Sequence, residues 1–158
     1  DNIGVWGWSG GGYLTNMCMT LGSDYFKAGV SVAPNVDPLL YDTIWTERYM
    51  GLVDENPEGY KNASVLTHVD KAKGFLLQIH GNADDNVHHQ HSLQLAKAYA
   101  EKGKHMEMFI YPNAHHGLGN NNFLTSEETK IDGWANYNHA YRKIISFLME
   151  HLSNKNQE

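Results

Sequence analysis

The stretch Gly7-Trp8-Ser9-Gly10-Gly11, arriving directly after the apolar run Ile3 to Trp6, constrains this chain more than any other part of it. A serine with glycines two places before and after it, set between a short apolar run and a helix-forming segment, reads as a nucleophile elbow. The strand turns sharply into a helix and presents the hydroxyl at the bend. The small neighbours give the backbone room to fold that tightly. Tyr13 to Met19 reads as the helix leaving the bend, with Gly22 as its stop. A dinucleotide-binding turn would need G-x-G-x-x-G and an acid closing the next strand. The glycines here fall at positions 7, 10, 11 and 12, and no acid stands at that place. A phosphate-cradling loop would need a following Gly-Lys-Ser/Thr, which this segment lacks.

The rest of the chain alternates strands with helices. Apolar runs at Ile3 to Trp6, Ala28 to Ala33, Phe75 to His80 and Met106 to Tyr111 predict four strands. Leu93, Ala96, Tyr99 and Ala100 recur at helical spacing between His91 and Lys102, and Gly103 can cap that helix. Trp134, Tyr141, Ile145, Leu148 and Leu152 mark one apolar face of a terminal helix, expected to lie on the sheet. This rhythm predicts a mostly parallel α/β sheet with flanking helices and right-handed crossovers. Pro34 to Ser64 breaks it and reads as an excursion over the carboxyl edge of the sheet. Within it, Asp42 to Met50 predicts a short helix, and Asn56-Pro57 a helix start. Asn120 to Thr129 is expected to be a flexible loop and the tail after Ser153 to fray.

With 158 residues, 41% of them hydrophobic and 19% charged, the chain can build one domain with a substantial core. Its net charge of -6 and scattered basic residues exclude a nucleic-acid partner. No apolar run approaches the roughly 20 residues of a membrane span. Cys18 is the single cysteine, which leaves no internal disulfide framework, and it is expected to pack as a small hydrophobe.

A serine hydroxyl needs a base to take its proton, and the base needs an acid to hold its tautomer. The third strand is followed by His80-Gly81-Asn82-Ala83-Asp84-Asp85, and the fourth by Ala114-His115-His116-Gly117. That supplies Ser, Asp and His in the order of α/β-hydrolases, at the strand ends where the elbow serine emerges. Spacing leaves Asp84 against Asp85, and His115 against His116, open. Gly117 favours His116, since it would let the loop turn tightly towards the serine. His88, His89, His91, His115 and His116 invite a metal reading. They lack i, i+4 pairing and H-E-x-x-H, so no metal and no cofactor is expected.

These residues resemble the catalytic domain of the dipeptidyl peptidase IV group within the prolyl oligopeptidase family. The likeness runs along almost the whole chain. It is carried by Trp6-Gly7-Trp8-Ser9, Thr46-Glu47-Arg48-Tyr49-Met50-Gly51, His80-Gly81, Ala83-Asp84-Asp85-Asn86-Val87-His88 and His116-Gly117. The resemblance implies Ser9 as nucleophile, Asp84 as acid, His116 as base and the Gly10 N–H as one oxyanion donor. It assigns the second donor to a tyrosine encoded upstream. It further implies an apolar pocket for proline or alanine walled by Tyr41, Trp45 and Tyr49, with Val87 nearby and Asn86 on a substrate carbonyl. The expected activity is that of a serine exopeptidase releasing N-terminal dipeptides from a peptide substrate. The alternatives are an esterase or acylaminoacyl-releasing hydrolase on the same fold, or a non-catalytic homologue serving as a binding module.

The sequence also departs from that pattern. Gly10 stands where a tyrosine is usual, Trp45 where a pocket tyrosine is usual, and Asn35 to Pro38 differs from the usual stretch. Only eight residues precede Ser9. Residues 1–158 are therefore expected to be the C-terminal part of a catalytic α/β-hydrolase domain whose N-terminal strands, and any β-propeller, lie outside them. The isolated segment is expected to be nearly inactive. A homodimer is an admissible assembly, and export to the periplasm or beyond is the expected localisation.

Overall fold

The computed structural model describes residues 2–119 and 133–153. Its elements run β1 (Gly4–Trp8), α1 (Gly10–Thr20), β2 (Ala28–Val32), α2 (Thr43–Met50), α3 (Pro57–Ala63), β3 (Phe75–Gly81), α4 (Gln90–Glu101), β4 (Glu107–Tyr111) and α5 (Gly133–Leu152). Short 3-10 segments at Pro38–Leu40 and Val65–Lys71 complete the excursion after β2. The four strands pair in the order β1-β2-β3-β4. Every pairing is parallel, with Trp8 beside Val32, Val32 beside Ile79, and Gly81 beside Tyr111. All four strands therefore end at one edge, and each following loop opens there.

The period of two along β2 sorts its residues between the faces of the sheet. Ala28, Val30 and Val32 are fully buried in a cluster with Ala140, Ile144 and Phe147 of α5. Gly29 and Ser31 lie on the other face, beneath α1. A Cβ on Gly29 would stand 2.5 Å from Met19 Cγ, and Ser31 donates to the Gly12 carbonyl at 3.1 Å. These small residues let α1 sit close on the sheet. Met19, fully buried there, joins Val65, Val69, Leu76, Leu95 and Tyr99 in a second cluster. Burial of a side chain of that size is worth about 1.5–3 kcal/mol.

Both helices expected in the excursion form; Asn56 caps the second as expected, and Asp42, read as the first residue of the other, stands outside Thr43–Met50 as its cap. Asp42 accepts from Trp45 N–H at 3.1 Å, and Asn56 from Gly59 N–H at 3.1 Å ahead of Pro57. Two other helices are turned relative to their expected faces. In α5 Leu148 and Leu152 pack against the sheet as expected, but the buried positions are Ala140, Ile144 and Phe147, and Tyr141 and Ile145 are 41% and 55% exposed. In α4 the buried positions are His91, Ser92, Leu95 and Tyr99, while Leu93 is exposed. Hydrogen bonds, described below, draw His91 and Ser92 inward, and hydropathy alone does not register them. The stretch Asn120 to Thr129 and the tail after Ser153 lie outside the described residues.

Candidate active site

Ser9 caps α1 at φ 56° and ψ -120°, left-handed backbone that a side chain occupies at a cost of about 1–3 kcal/mol. Tertiary contacts hold it there. Its N–H donates to the Val32 carbonyl at 2.8 Å, so the end of β2 pins the bend. A Cβ on Gly7 would lie 2.3 Å from the Gly11 carbonyl oxygen, so strand and helix touch where only glycine fits. Gly11 itself has open space around its Cβ position, and the second tight place is Gly12, against Val32 O at 2.9 Å. The small-residue requirement thus falls on Gly7 and Gly12. Gly10 is the first residue of α1, so its N–H is among those with no acceptor within the helix, and it stands at the positive end of the helix dipole.

Asp84 sits in the loop leaving β3, and His116 in the loop leaving β4. Gly81 allows these loops to meet, because a Cβ there would be 2.2 Å from the Ala114 carbonyl oxygen. Further bonds lace them together: Ala83 N–H to Ala114 O at 3.0 Å, and Asn113 N–H to Asn82 Oδ1 at 2.6 Å. The turn that delivers His116 takes its positive φ values at Asn113 and Leu118, both 58°. Gly117 is not the pivot expected of it. Its missing side chain instead leaves room for the Tyr137 hydroxyl, 3.2 Å from where a Cβ would be. Leu118 is fully buried, so its packing offsets its backbone strain.

The Asp84 carboxylate is buried and saturated with donors. Oδ1 accepts from the Asn86 and Val87 N–H groups at 3.0 and 2.9 Å. Oδ2 accepts from His116 Nδ1 at 2.8 Å and from His80 Nε2 at 3.1 Å. Burial by itself raises its pKa. The bonds from His116, His80 and Val87, with the His116 charge, outweigh that and hold the carboxyl well below the usual carboxylate range. An ionised carboxylate only accepts, so His116 Nδ1 carries the hydrogen and Nε2 keeps a lone pair. Asp85 is exposed, and His115 Nδ1 accepts from the Gly117 N–H at 3.2 Å within its own loop. Of these neighbours it is Asp84 and His116 that are bonded to one another.

Trp8 ties His116 to the elbow. Its indole Nε1–H donates to the His116 carbonyl at 2.9 Å, and its ring stacks on Tyr137 at 5.6 Å. The His116 side chain is 23% exposed, open enough to meet a substrate. Among the described residues the Ser9 hydroxyl has no hydrogen-bond partner.

The expected pocket residues separate into two groups. Trp45 and Tyr49 pack at 5.0 Å between centroids and line a cavity of about 380 Å³ beside Gly10, with Leu14, Asn35, Pro38 and Met50. No atom lies within 4 Å of a Cβ built on Gly10, so the space a side chain would fill belongs to this hollow. Tyr41 stands apart, its hydroxyl donating to Asn86 Oδ1 at 3.0 Å and its ring edge-on to Trp45. Val87 is 1% exposed and backs the site from within.

Sequence reasoning gave no role to the side chains behind the pair. His80 bridges Asp84 and Ser92, and His91 Nδ1 accepts from the Val36 N–H at 3.0 Å. Two histidines at helical or strand positions carry no hydropathy signal of their own, and their role emerges only from partners in other elements. Among the described residues no three His, Cys, Asp or Glu side chains converge as a metal site. Among them, too, no helix is long and apolar enough to cross a membrane.

Residues 1–154 match the prolyl oligopeptidase family. The chain belongs to that family, the S9 serine peptidases. It is 43% identical over 122 residues to dipeptidyl peptidase 4 of Sus scrofa, covering 75% of this chain and 16% of the relative. It is 36% identical over 154 residues to prolyl endopeptidase FAP of Homo sapiens, covering 96% and 18%. The crystal structure of Porphyromonas gingivalis dipeptidyl peptidase 4 superposes with a TM-score of 0.83 at 37% identity, over 95% of this chain and 20% of that one. A putative dipeptidyl aminopeptidase IV from Bacteroides ovatus gives 0.81 at 33% identity, over 95% and 19%. The fold is that of an α/β-hydrolase. The chain spans less than a fifth of the length of the first curated relatives it matches.

Proposed function

We propose that residues 1–158 are part of the catalytic domain of a serine exopeptidase that releases N-terminal dipeptides after proline or alanine. The observation that supports this reading is the Asp84–His116 bond at 2.8 Å, in a loop whose His116 carbonyl is held at 2.9 Å by the indole of Trp8, the neighbour of Ser9 in the chain. His116 Nε2 takes the Ser9 proton as Oγ attacks the peptide carbonyl carbon. The Gly10 N–H receives the oxyanion. As the tetrahedral adduct collapses, the same proton passes to the leaving amine, and water then hydrolyses the acyl-enzyme by the reverse sequence.

The aromatic walls Trp45 and Tyr49 suit a flat, rigid proline ring, which loses little freedom on stacking. Asn86, held by Tyr41, is positioned to donate its amide to a substrate carbonyl. A relative named dipeptidyl peptidase 4 supports release of dipeptides, and one named prolyl endopeptidase supports cleavage at proline. The resemblance places the second oxyanion donor outside this segment. Loss of one donor costs roughly 10²- to 10³-fold, so residues 1–158 alone should turn over slowly.

The test uses the full-length protein. A fluorophosphonate should label Ser9, and a Gly-Pro-linked chromogenic amide should be cleaved faster than short acyl esters. An N-blocked Gly-Pro amide should resist cleavage if the enzyme is an exopeptidase. Preference for the esters would favour the esterase reading, and absence of labelling would favour a non-catalytic binding module.

A further inference from the structure

A chain of buried polar side chains runs behind Asp84. His80, fully buried on β3, places Nε2 2.8 Å from the Val87 carbonyl and 3.1 Å from Asp84 Oδ2. A carbonyl oxygen can only accept, so Nε2 bears the hydrogen and shares it with the carboxylate. On the other side of the ring, Nδ1 lies 2.5 Å from Ser92 Oγ, and Ser92 Oγ receives Gln78 Nε2–H at 2.7 Å. With Gln78 donating to it, the Ser92 hydroxyl turns its own hydrogen to Nδ1. The neutral ring with its hydrogen on Nε2 satisfies all three of its partners, Val87, Asp84 and Ser92.

We propose that His80 is a positioning residue for the Asp84–His116 pair, held as the Nε2–H tautomer by Gln78 and Ser92 so that it anchors Asp84 Oδ2 and shares its charge. The proposal rests on the reading of Ser9, Asp84 and His116 given above. His116 and His80 bond to the same oxygen, at 2.8 and 3.1 Å, so the carboxylate divides its charge between two N–H groups. Oδ1 is meanwhile fixed by two backbone donors. Loss of His80 would leave Oδ2 bonded to His116 alone. The carboxylate would then pull harder on the His116 Nδ1 hydrogen, making the imidazolium more stable, so that a smaller fraction of Nε2 would be free to accept a proton at neutral pH. It would also be less firmly oriented.

The titratable groups around this arrangement come from four places. Asp84 faces His80 of β3, His116 of the loop after β4 and Tyr41 of the excursion, and the His80 charge lowers the pKa of His89 and His91 at the start of α4. Tyr41, pushed above its ordinary value by burial and then by Asp42 and Asp84, is uncharged across the range of interest.

The experiment measures the rate of fluorophosphonate labelling at Ser9 against pH in full-length protein. His80→Leu should slow labelling by roughly 10- to 100-fold at neutral pH, as expected when a group that orients an active-site residue is lost. Its acid limb, which reports His116, should move to higher pH. His80→Gln, which can present an amide N–H near the Nε2 position, should restore most of the rate. Ser92→Ala, a favourable change within a helix, should shift the limb in the same direction by less. Wild-type protein that does not label at Ser9 would sink the catalytic reading and this proposal with it. Wild-type labelling with an unmoved limb in both His80→Leu and Ser92→Ala would overturn the His80 proposal alone. If His80→Leu does not fold, an unmoved limb in Ser92→Ala would be enough to overturn it.

Discussion

Asp84→Asn should nearly abolish reaction at Ser9, and the structure dictates how. The amide has one acceptor where the carboxylate had two, so it must choose which donors to serve. With its oxygen at the Oδ1 place it keeps the Asn86 and Val87 N–H bonds of 3.0 and 2.9 Å. Turned the other way, it would lose both and direct an NH₂ group at two backbone donors. The first orientation wins because His116 can change tautomer and the His80 Nε2–H keeps the Val87 carbonyl at 2.8 Å, whereas the backbone donors have no such alternative, and it aims the NH₂ group at His116 Nδ1. His116 must then accept at Nδ1 and carry its hydrogen on Nε2, and the atom proposed to take the Ser9 proton can no longer do so. The wrong tautomer costs about 10⁴-fold in rate, or about 5.5 kcal/mol of transition-state stabilisation. The assay is the rate of fluorophosphonate labelling and of Gly-Pro amide cleavage at neutral pH, with folding checked by circular dichroism. A folded Asp84→Asn protein within tenfold of wild type would refute the tautomer argument.

Two further outcomes follow from the same geometry. Gly7→Ala places a Cβ 2.3 Å from the Gly11 carbonyl, so the elbow must open; labelling at Ser9 should fall more than 100-fold, by analogy with small misplacements of catalytic groups, roughly 10²-fold per ångström. His91 is fully buried, and burial, followed by the neighbouring His80, pushes its pKa down to about 4 from 6.5. The unfolded chain therefore binds this proton first. The stability that neutral His91 provides is whole above pH 6.5 and is lost as pH falls towards 4, a difference worth about 3 kcal/mol. Protonation would also turn Nδ1 from acceptor to donor against the Val36 N–H. Hydrogen exchange at the Val36 amide, corrected for its intrinsic rate, should quicken over that interval, and His91→Asn should remove the acceleration.

Much of this site can be read from the linear chain because backbone constraints are local. A serine at positive φ between touching strand and helix demands glycine close by, and Gly7 meets that demand wherever the chain is folded. The strand runs and the helix caps at Asp42 and Asn56 are equally local, since a cap and its N–H lie three residues apart. Ser9, Asp84 and His116 each follow a strand, and parallel strands send every following loop to the same edge.

Other features needed the tertiary structure. Which histidine and which aspartate pair depends on Gly81 letting two loops touch. Which face of α4 is buried depends on Ser92 and His91 finding partners on β3 and at Val36. Hydropathy places such side chains outside, because burying a polar group is unfavourable until its hydrogen bonds are made. Those partners lie 12 to 55 residues away in sequence. The amino-acid order by itself determined the sharp bend and the supply of reactive groups, because those rest on covalent and steric limits within a few residues. Only the packed molecule decided the tautomers, the charge sharing on Asp84 and the turn of the helices, because each depends on polar atoms that meet across distant segments.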